Sequence, residues 1–347
     1  SYPYEWPFAA LRDAALLHLD LQLDAIDAGA CLSDATAYNI QFRGTQPVFI
    51  DLLSIRRYRD GEFWVGHRQF CEQFLNPLLM QSLLGVDAND WYRGRLEGIS
   101  HVDLTQLLPF WRRYSPRVLA HVTLPASLQA RKGRRPVDVR GRKLPKSAYV
   151  GMLRQLRSWI SQLQRRNADT TWATYALDNS YNEGARNFKR AAVAEFVQLT
   201  RPALMIDVGC NTGDFSEVAL ESGARAVIGL DGDHGALNAA FKAAQARGLD
   251  LLPLYSDLCN PSPEQGWNQA ERAGLNRRCK ADAAIALAIV HHLAIGRNIP
   301  LPQIVEWLLS MAPKLLVEFV PKSDQMVQAM LRNRQDVFAT YSEDAFR

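Results

Sequence analysis

Residues 203–233 read ALMIDVGCNTGDFSEVALESGARAVIGLDGD. An apolar run of strand length, Ala203 to Val208, leads into the turn residues Gly209-Cys210-Asn211-Thr212-Gly213. A helical segment follows from Phe215 to Leu220, and a second apolar run, Ala226 to Leu230, stops at Asp231. Strand, glycine-bearing turn, helix and strand make one βαβ unit, which predicts a parallel sheet with a ligand at the carboxyl ends of its strands. Glycine at such a turn admits positive φ and lets a ligand approach the main chain without a Cβ in the way. The spacing Asp207-x-Gly209-x-x-x-Gly213 is not the dinucleotide G-x-G-x-x-G, and Asp207 and Asp214 would repel a pyrophosphate. Their charge suits a cationic or zwitterionic ligand. Asp231 sits where a carboxylate accepts both hydroxyls of a ribose.

Together these residues resemble the first two motifs of the class I S-adenosylmethionine-dependent methyltransferases. The resemblance covers about residues 185–330 and implies an α/β chain with a Rossmann-like parallel-sheet methyltransferase domain. S-adenosylmethionine is the implied cofactor, held by Asp207, Gly209, Cys210, Asn211, Gly213, Asp231 and Gly232. After a helix at Gly235–Ala246 and a third strand at Leu249–Tyr255, the resemblance implies that Asp257 accepts a hydrogen bond from the adenine amino group. Leu258 would then pack on the ring; the alternative for Asp257 is an N-cap ahead of Pro261. A fourth strand, 281–290, is apolar throughout most of its length, as a central parallel strand should be, and ends in His291-His292. In the family this strand end lines the methyl-transfer site. The two imidazoles either take a proton from the nucleophile, orient it or close the pocket, or they only hydrogen-bond the loop. Adjacent histidines point in different directions and no carboxylate cluster accompanies them, which argues against a metal there. A fifth strand, Leu315–Val320, places Glu318 and Lys322 at the same rim, with Glu318 either a general base or half of a structural ion pair. The family sheet has seven strands, and the sequence after Val320 offers a helix at Ser323–Arg334 and a tail, with no room for two more. The methyl acceptor is of unspecified class.

The N-terminal half is mostly helical with a short β-hairpin. Leu11–Asp27 spaces its apolar residues as one face of a helix, with Gly29 placed to end it. Asp34, Asn39 and Asp51 then fall at loop and strand ends. This triple is similar to the catalytic loop of aminoglycoside phosphotransferases and related kinase-like folds, which implies positioning of an acceptor hydroxyl and retention of magnesium. Leu32 stands where that family has His, and about thirty residues precede the loop, which predicts a lobe without its own nucleotide grip. The other reading is a hairpin whose Asp and Asn side chains cap turns. Further helical segments are expected at Gln69–Leu84, Asp87–Leu96 and Val102–Trp111, interrupted by Pro77, Gly85, Pro109 and Pro116. Trp64, Trp91, Trp111, Tyr58 and Tyr92 are core or lid aromatics, or line a substrate groove.

The formal charge of +4 averages two unlike parts, because residues 131–146 hold eight Lys/Arg against one acid. Glycines and prolines among those charges make this stretch a linker or exposed loop, or a contact for an anionic partner such as nucleic acid. An amphipathic helix is expected at Tyr149–Gln164, and Asn182–Gln198 is expected as a helix ahead of the first strand. The segment 167–201 carries Tyr175, Tyr181 and Lys189, which either fold over a cofactor or pack a junction. The organisation expected is a helical domain at 1–130, a linker, helix and lid at 131–184, and a methyltransferase domain at 185–347. A hydrophobic content of 48% with 22% charged residues excludes wholesale disorder. No apolar run reaches membrane-spanning length, and five scattered cysteines without paired or zinc-type spacing predict reduced thiols in a cytoplasmic protein. Three functions compete: methyl transfer, phosphoryl transfer or nucleotide binding through Asp34, Asn39 and Asp51, and non-catalytic docking of a partner.

Overall fold

A computed structural model describes residues 1–130, 143–166, 183–332 and 335–347. The chain forms two compact units, Ser1–Ala168 and Asp169–Arg347. The first is mostly helical, and the second is an α/β unit built on a parallel sheet.

In the first unit, helix α1 (Phe8–Asp27) buries Leu11, Ala15, Leu19 and Ile26 along one face, as the apolar spacing predicts. Its chain leaves through Gly29 at φ +77°, a conformation that costs glycine little. Two antiparallel strand pairs follow. β1 (Ala30–Leu32) pairs with β4 (Ile55–Arg57), and β2 (Ile40–Arg43) with β3 (Gln46–Phe49) as the expected hairpin. Helix α2 (residues 67–84) does not break at Pro77. Two π-helical turns, Cys71–Leu75 and Met80–Leu84, interrupt its α-helical ladder, and Pro77 sits just after the first, where the widened turn relieves its missing N–H and ring clash. A third π turn, Leu119–Thr123, lies inside helix α3 (residues 116–130). Helix α4 (Lys146–Gln162) packs on α1, where the buried Gln22 Nε2 donates to Tyr149 Oη at 2.9 Å and Arg157 pairs with Asp20. Trp64 and Tyr92 are buried as expected, but Trp111 is 74% exposed, because its four-residue helix after Pro109 buries no side chain.

The second unit is a five-stranded sheet, ordered β7-β6-β5-β8-β9, with every pair parallel. Its strands are β5 (Leu204–Val208), β6 (Ala226–Asp231), β7 (Leu251–Tyr255), β8 (Ala283–Ala286) and β9 (Leu315–Val317). Helices α5 (Glu183–Thr200), α6 (Asp214–Glu221), α7 (His234–Arg247), α8 (Leu301–Met311) and α9 (Gln325–Leu331) accompany it. Met205, Val227, Ala283 and Ile285 of the sheet pack with Val193 and Val197 of α5 and Val218 of α6 in one buried cluster. Burying each such aliphatic side chain contributes about 1.5–3 kcal/mol. β8 is shorter than the expected run 281–290. The chain turns at Ala288, φ +50°, and His292–Gly296 forms a π-helical turn, so His291 and His292 open a helical segment rather than end a strand.

Candidate functional site

Gly209, Asp231, Tyr255 and Leu287, at or just beyond the carboxyl ends of β5, β6, β7 and β8, surround a cavity of about 810 Å³. That volume falls in the range of small-molecule sites, and the crevice beyond parallel strand ends is where open α/β sheets bind ligands. Gly209, at φ +80°, turns the chain out of β5, and its N–H together with that of Cys210 donates to the Leu230 carbonyl at 2.8 and 3.1 Å. These bonds tie the glycine loop to the neighbouring strand. A Cβ on Gly229 would fall 2.7 Å from Cys210 Sγ, so the glycine in β6 lets the loop settle against the sheet.

Asp231 closes β6 with its carboxylate at the cavity. Oδ2 accepts the Asn211 N–H and Oδ1 the Asp233 N–H, both at 2.8 Å. Burial raises its pKa, while the donated N–H groups pull it back. A carboxylate has about four acceptor positions, so these two bonds fix its orientation and leave capacity for a ligand. Asn211, Gly232, Asp257 and Leu258 also line the cavity. Asp257 Oδ1 accepts the Cys259 N–H at 3.0 Å and so braces a turn. Tyr255 stacks on His234 with ring centroids 4.2 Å apart.

Three expected positions differ. Asp207 does not face the cavity: it is 3% exposed, its carboxylate accepts Ser216 Oγ–H at 2.6 Å, and burial pushes its pKa up to about 7. It holds the first turn of α6 against β5 and presents no charge to a ligand. Gly213 is likewise behind the cavity, at φ +87° as the N-cap of α6, where an added Cβ would lie 3.0 Å from Leu251. Glu318 is a pairing group. Its carboxylate accepts the Ala288 N–H at 2.9 Å and meets Lys189 Nζ at 2.8 Å, so the ion-pair alternative describes its surroundings. Lys322 is taken up by Asp336, at 2.8 Å.

His291 and His292 do line the cavity, their rings 4.2 Å apart and tilted. His291 is buried, and Nδ1 has no partner among the described residues. Burial, reinforced by the charge His292 would carry, lowers its pKa to about 4, so the ring is neutral at neutral pH. Lys189 and Arg186 reach the same cavity from α5. Tyr175 and Tyr181 lie outside the described residues, as does the basic segment through residue 142. Ala288 had no signal in the sequence: its positive φ is a strained conformation for a residue with a Cβ, and it sits on the cavity wall held by Glu318.

The first unit gathers the other expected triple. Asn39 Nδ2 donates to Asp34 Oδ1 at 3.2 Å and to Asp51 Oδ2 at 3.1 Å. Burial, with Asp51's charge added, raises the Asp34 pKa. Asp51 also accepts the Leu53 N–H at 3.1 Å, so the turn-capping reading and the clustering hold together.

Fold and cavity define a Rossmann-like α/β protein with a cavity of small-molecule size at its carboxyl strand ends. No protein-family model matches the chain. Nodulation protein NoeA of Rhizobium meliloti (strain 1021) is 51% identical over 351 residues, spanning all of this chain and 74% of NoeA. The chain belongs to the NoeA family. Among solved structures, the bifunctional kinase-methyltransferase WbdD matches at TM-score 0.33 and 17% identity, over 55% of this chain and 40% of WbdD. Magnesium protoporphyrin IX methyltransferase (ChlM) from Synechocystis PCC 6803 matches at TM-score 0.31 and 20% identity, over 45% of this chain and 67% of ChlM. The methyltransferase domain of bacterial CtHen1 matches at TM-score 0.30 and 18% identity, over 39% of this chain and 65% of that one. Likeness of this degree is slight. Among the described residues no helix is long and apolar enough to cross a membrane.

Proposed function

We propose that the second unit is an S-adenosylmethionine-dependent methyltransferase. The observation that carries this reading is Asp231: a carboxylate at the end of the second strand of a βαβ unit, oriented by two backbone N–H groups and open to a cavity of about 810 Å³. A carboxylate so placed accepts vicinal ribose hydroxyls. The remaining wall fits the rest of a nucleoside. Gly232 has no neighbour closer than 3.8 Å to an added Cβ, and Leu258 and Asp257 supply an apolar face beside an acceptor. When bound there, S-adenosylmethionine supplies a methyl group made electrophilic by its sulfonium.

Asp231 would bind and orient the ribose, and the loop from Gly209 to Asn211 would bring main chain alongside the cofactor. His291, neutral and with Nδ1 unpartnered among the described residues, is the group placed to accept a hydrogen bond from an acceptor nucleophile and orient it. Glu318 would act at one remove, fixing Ala288 and Lys189 in the cavity wall. The direct test is calorimetric titration of S-adenosylhomocysteine into the protein, with NAD⁺ as the control; a protein that ignores the former loses this assignment. Incubation with methyl-labelled S-adenosylmethionine and cell extract then reveals which fraction takes the label.

A second reading rests on the first unit. Residues five and twelve positions from Asn39 converge on its amide, which favours phosphoryl transfer or nucleotide binding by Asp34, Asn39 and Asp51. A magnesium-dependent thermal shift with ATP that disappears in Asp51→Ala supports it, and a flat response removes it.

A further inference from the structure

The first unit brings together three side chains that neither reading uses. His67 opens α2, Cys71 lies one turn later on the same face, and His121 reaches them from the π turn of α3. His67 Nε2 is 3.1 Å from His121 Nδ1 and 3.7 Å from Cys71 Sγ. All three donor atoms fall within 4.8 Å of one another, and Cys71 and His121 are buried. Tetrahedral zinc, with Zn–N of about 2.0–2.1 Å and Zn–S of about 2.3 Å, sets its ligands apart by about 3.3 Å for two nitrogens and about 3.6 Å for nitrogen and sulfur. The contacts at His67 match those separations.

We infer that His67, Cys71 and His121 form a binding site for a zinc-type divalent cation, two imidazoles and one thiolate, with the fourth tetrahedral position left to water. Both elements are distorted where the ligands arise. Cys71 begins one π turn and His121 lies within another, and such insertions rotate side chains out of the regular helical register, which is why they recur at functional sites. Binding exchanges the Cys71 S–H bond for an S–metal bond, and the proton leaves to solvent. Two imidazole nitrogens and one sulfur are a donor set that suits a zinc-type cation. The ion would tie α2 to α3, so its first effect is on the stability of this unit.

The experiment uses the full chain, stripped with a chelator and dialysed against zinc chloride, with bound metal measured by plasma mass spectrometry. Stoichiometric uptake and a raised melting temperature are expected. Cobalt chloride in place of zinc should give the thiolate-to-cobalt charge-transfer band and the intense visible bands of a tetrahedral site. These should vanish in Cys71→Ser and His121→Gln and persist in Cys259→Ser and Cys279→Ser. Should Cys71→Ser fail to fold, X-ray absorption on the zinc-loaded wild type decides: one sulfur and at least two nitrogens are required. Failure to take up zinc, or a cobalt thiolate band that survives Cys71→Ser, overturns the site and leaves a hydrogen-bonded histidine pair.

Discussion

Replacing Asp231 by alanine tests the cofactor site at its anchor. In the native chain the carboxylate is held by the Asn211 and Asp233 N–H groups, each at 2.8 Å, with acceptor capacity left over for a ligand. Hydrogen bonds to a charged partner contribute about 1.5–3 kcal/mol each, so two ribose hydroxyls at the low end give about 3 kcal/mol. Asp231 is half-buried, and water screens part of that sum. The expected loss is therefore about 1.4–3 kcal/mol, or roughly 10- to 150-fold in Kd for S-adenosylhomocysteine. Asp231→Asn should weaken binding too, because one oxygen becomes an NH₂ facing a backbone N–H. Isothermal titration calorimetry reads the affinity, and circular dichroism confirms that the variants are folded. A folded Asp231→Ala that binds with wild-type affinity refutes the ribose role, whereas a wild type that does not bind at all refutes the methyltransferase assignment itself.

Three further outcomes follow from the structure. The Asp207 pKa is raised from 3.8 to about 7, so the folded chain holds a proton that the unfolded chain has released, and stability should fall as pH rises across that window. Its slope approaches about 1.4 kcal/mol per pH unit for one proton. Asp207→Asn should flatten this fall in denaturant melts from pH 4 to 7; parallel curves for the two proteins would count against it. His18 is fully buried against Trp64, Phe70 and Phe74 with neither ring nitrogen partnered among the described residues, and its pKa is lowered to about 3. Unfolding lets it take a proton below about 6.5, so stability is lost as pH falls from there toward 3. His18→Phe should reduce that acid loss and add about 1 kcal/mol at neutral pH by removing unpaired polar atoms, as chemical denaturation would show. Glu318→Ala removes the acceptor of the Ala288 N–H and one partner of Lys189 and should cost about 1–3 kcal/mol of stability, with Glu318→Gln recovering part. Equal midpoints for Glu318→Ala and the wild type in urea would dismiss the bracing role.

The parallel sheet and the place of the cavity at its carboxyl edge could be read from residue order alone. Apolar runs bounded by Gly209 and Asp231 carry a local signal, since strand burial and turn chemistry depend on neighbours a few residues away. Asp231 was identifiable for the same reason: its place at the end of the second strand follows from chain order. Side-chain direction follows no such rule. Asp207 and Asp231 both occur at the sheet's carboxyl edge, yet Ser216 captures one beneath α6 while the other faces the cavity, a difference set by packing. Glu318 and Lys189 are more than a hundred residues apart and meet because α5 packs on the sheet whose edge strand is β9, so of the two alternatives open for Glu318 its surroundings are those of an ion pair. Pro77 marked a helix break that a π turn absorbed, because local propensity yields to the burial of α2. His67 and Cys71 share an i, i+4 face that cysteine spacing alone overlooked, and His121 joins them only through the folding of α3 onto α2. Local chemistry writes the elements and the ends of strands, and the contacts between distant elements decide which groups are spent on structure and which face a ligand.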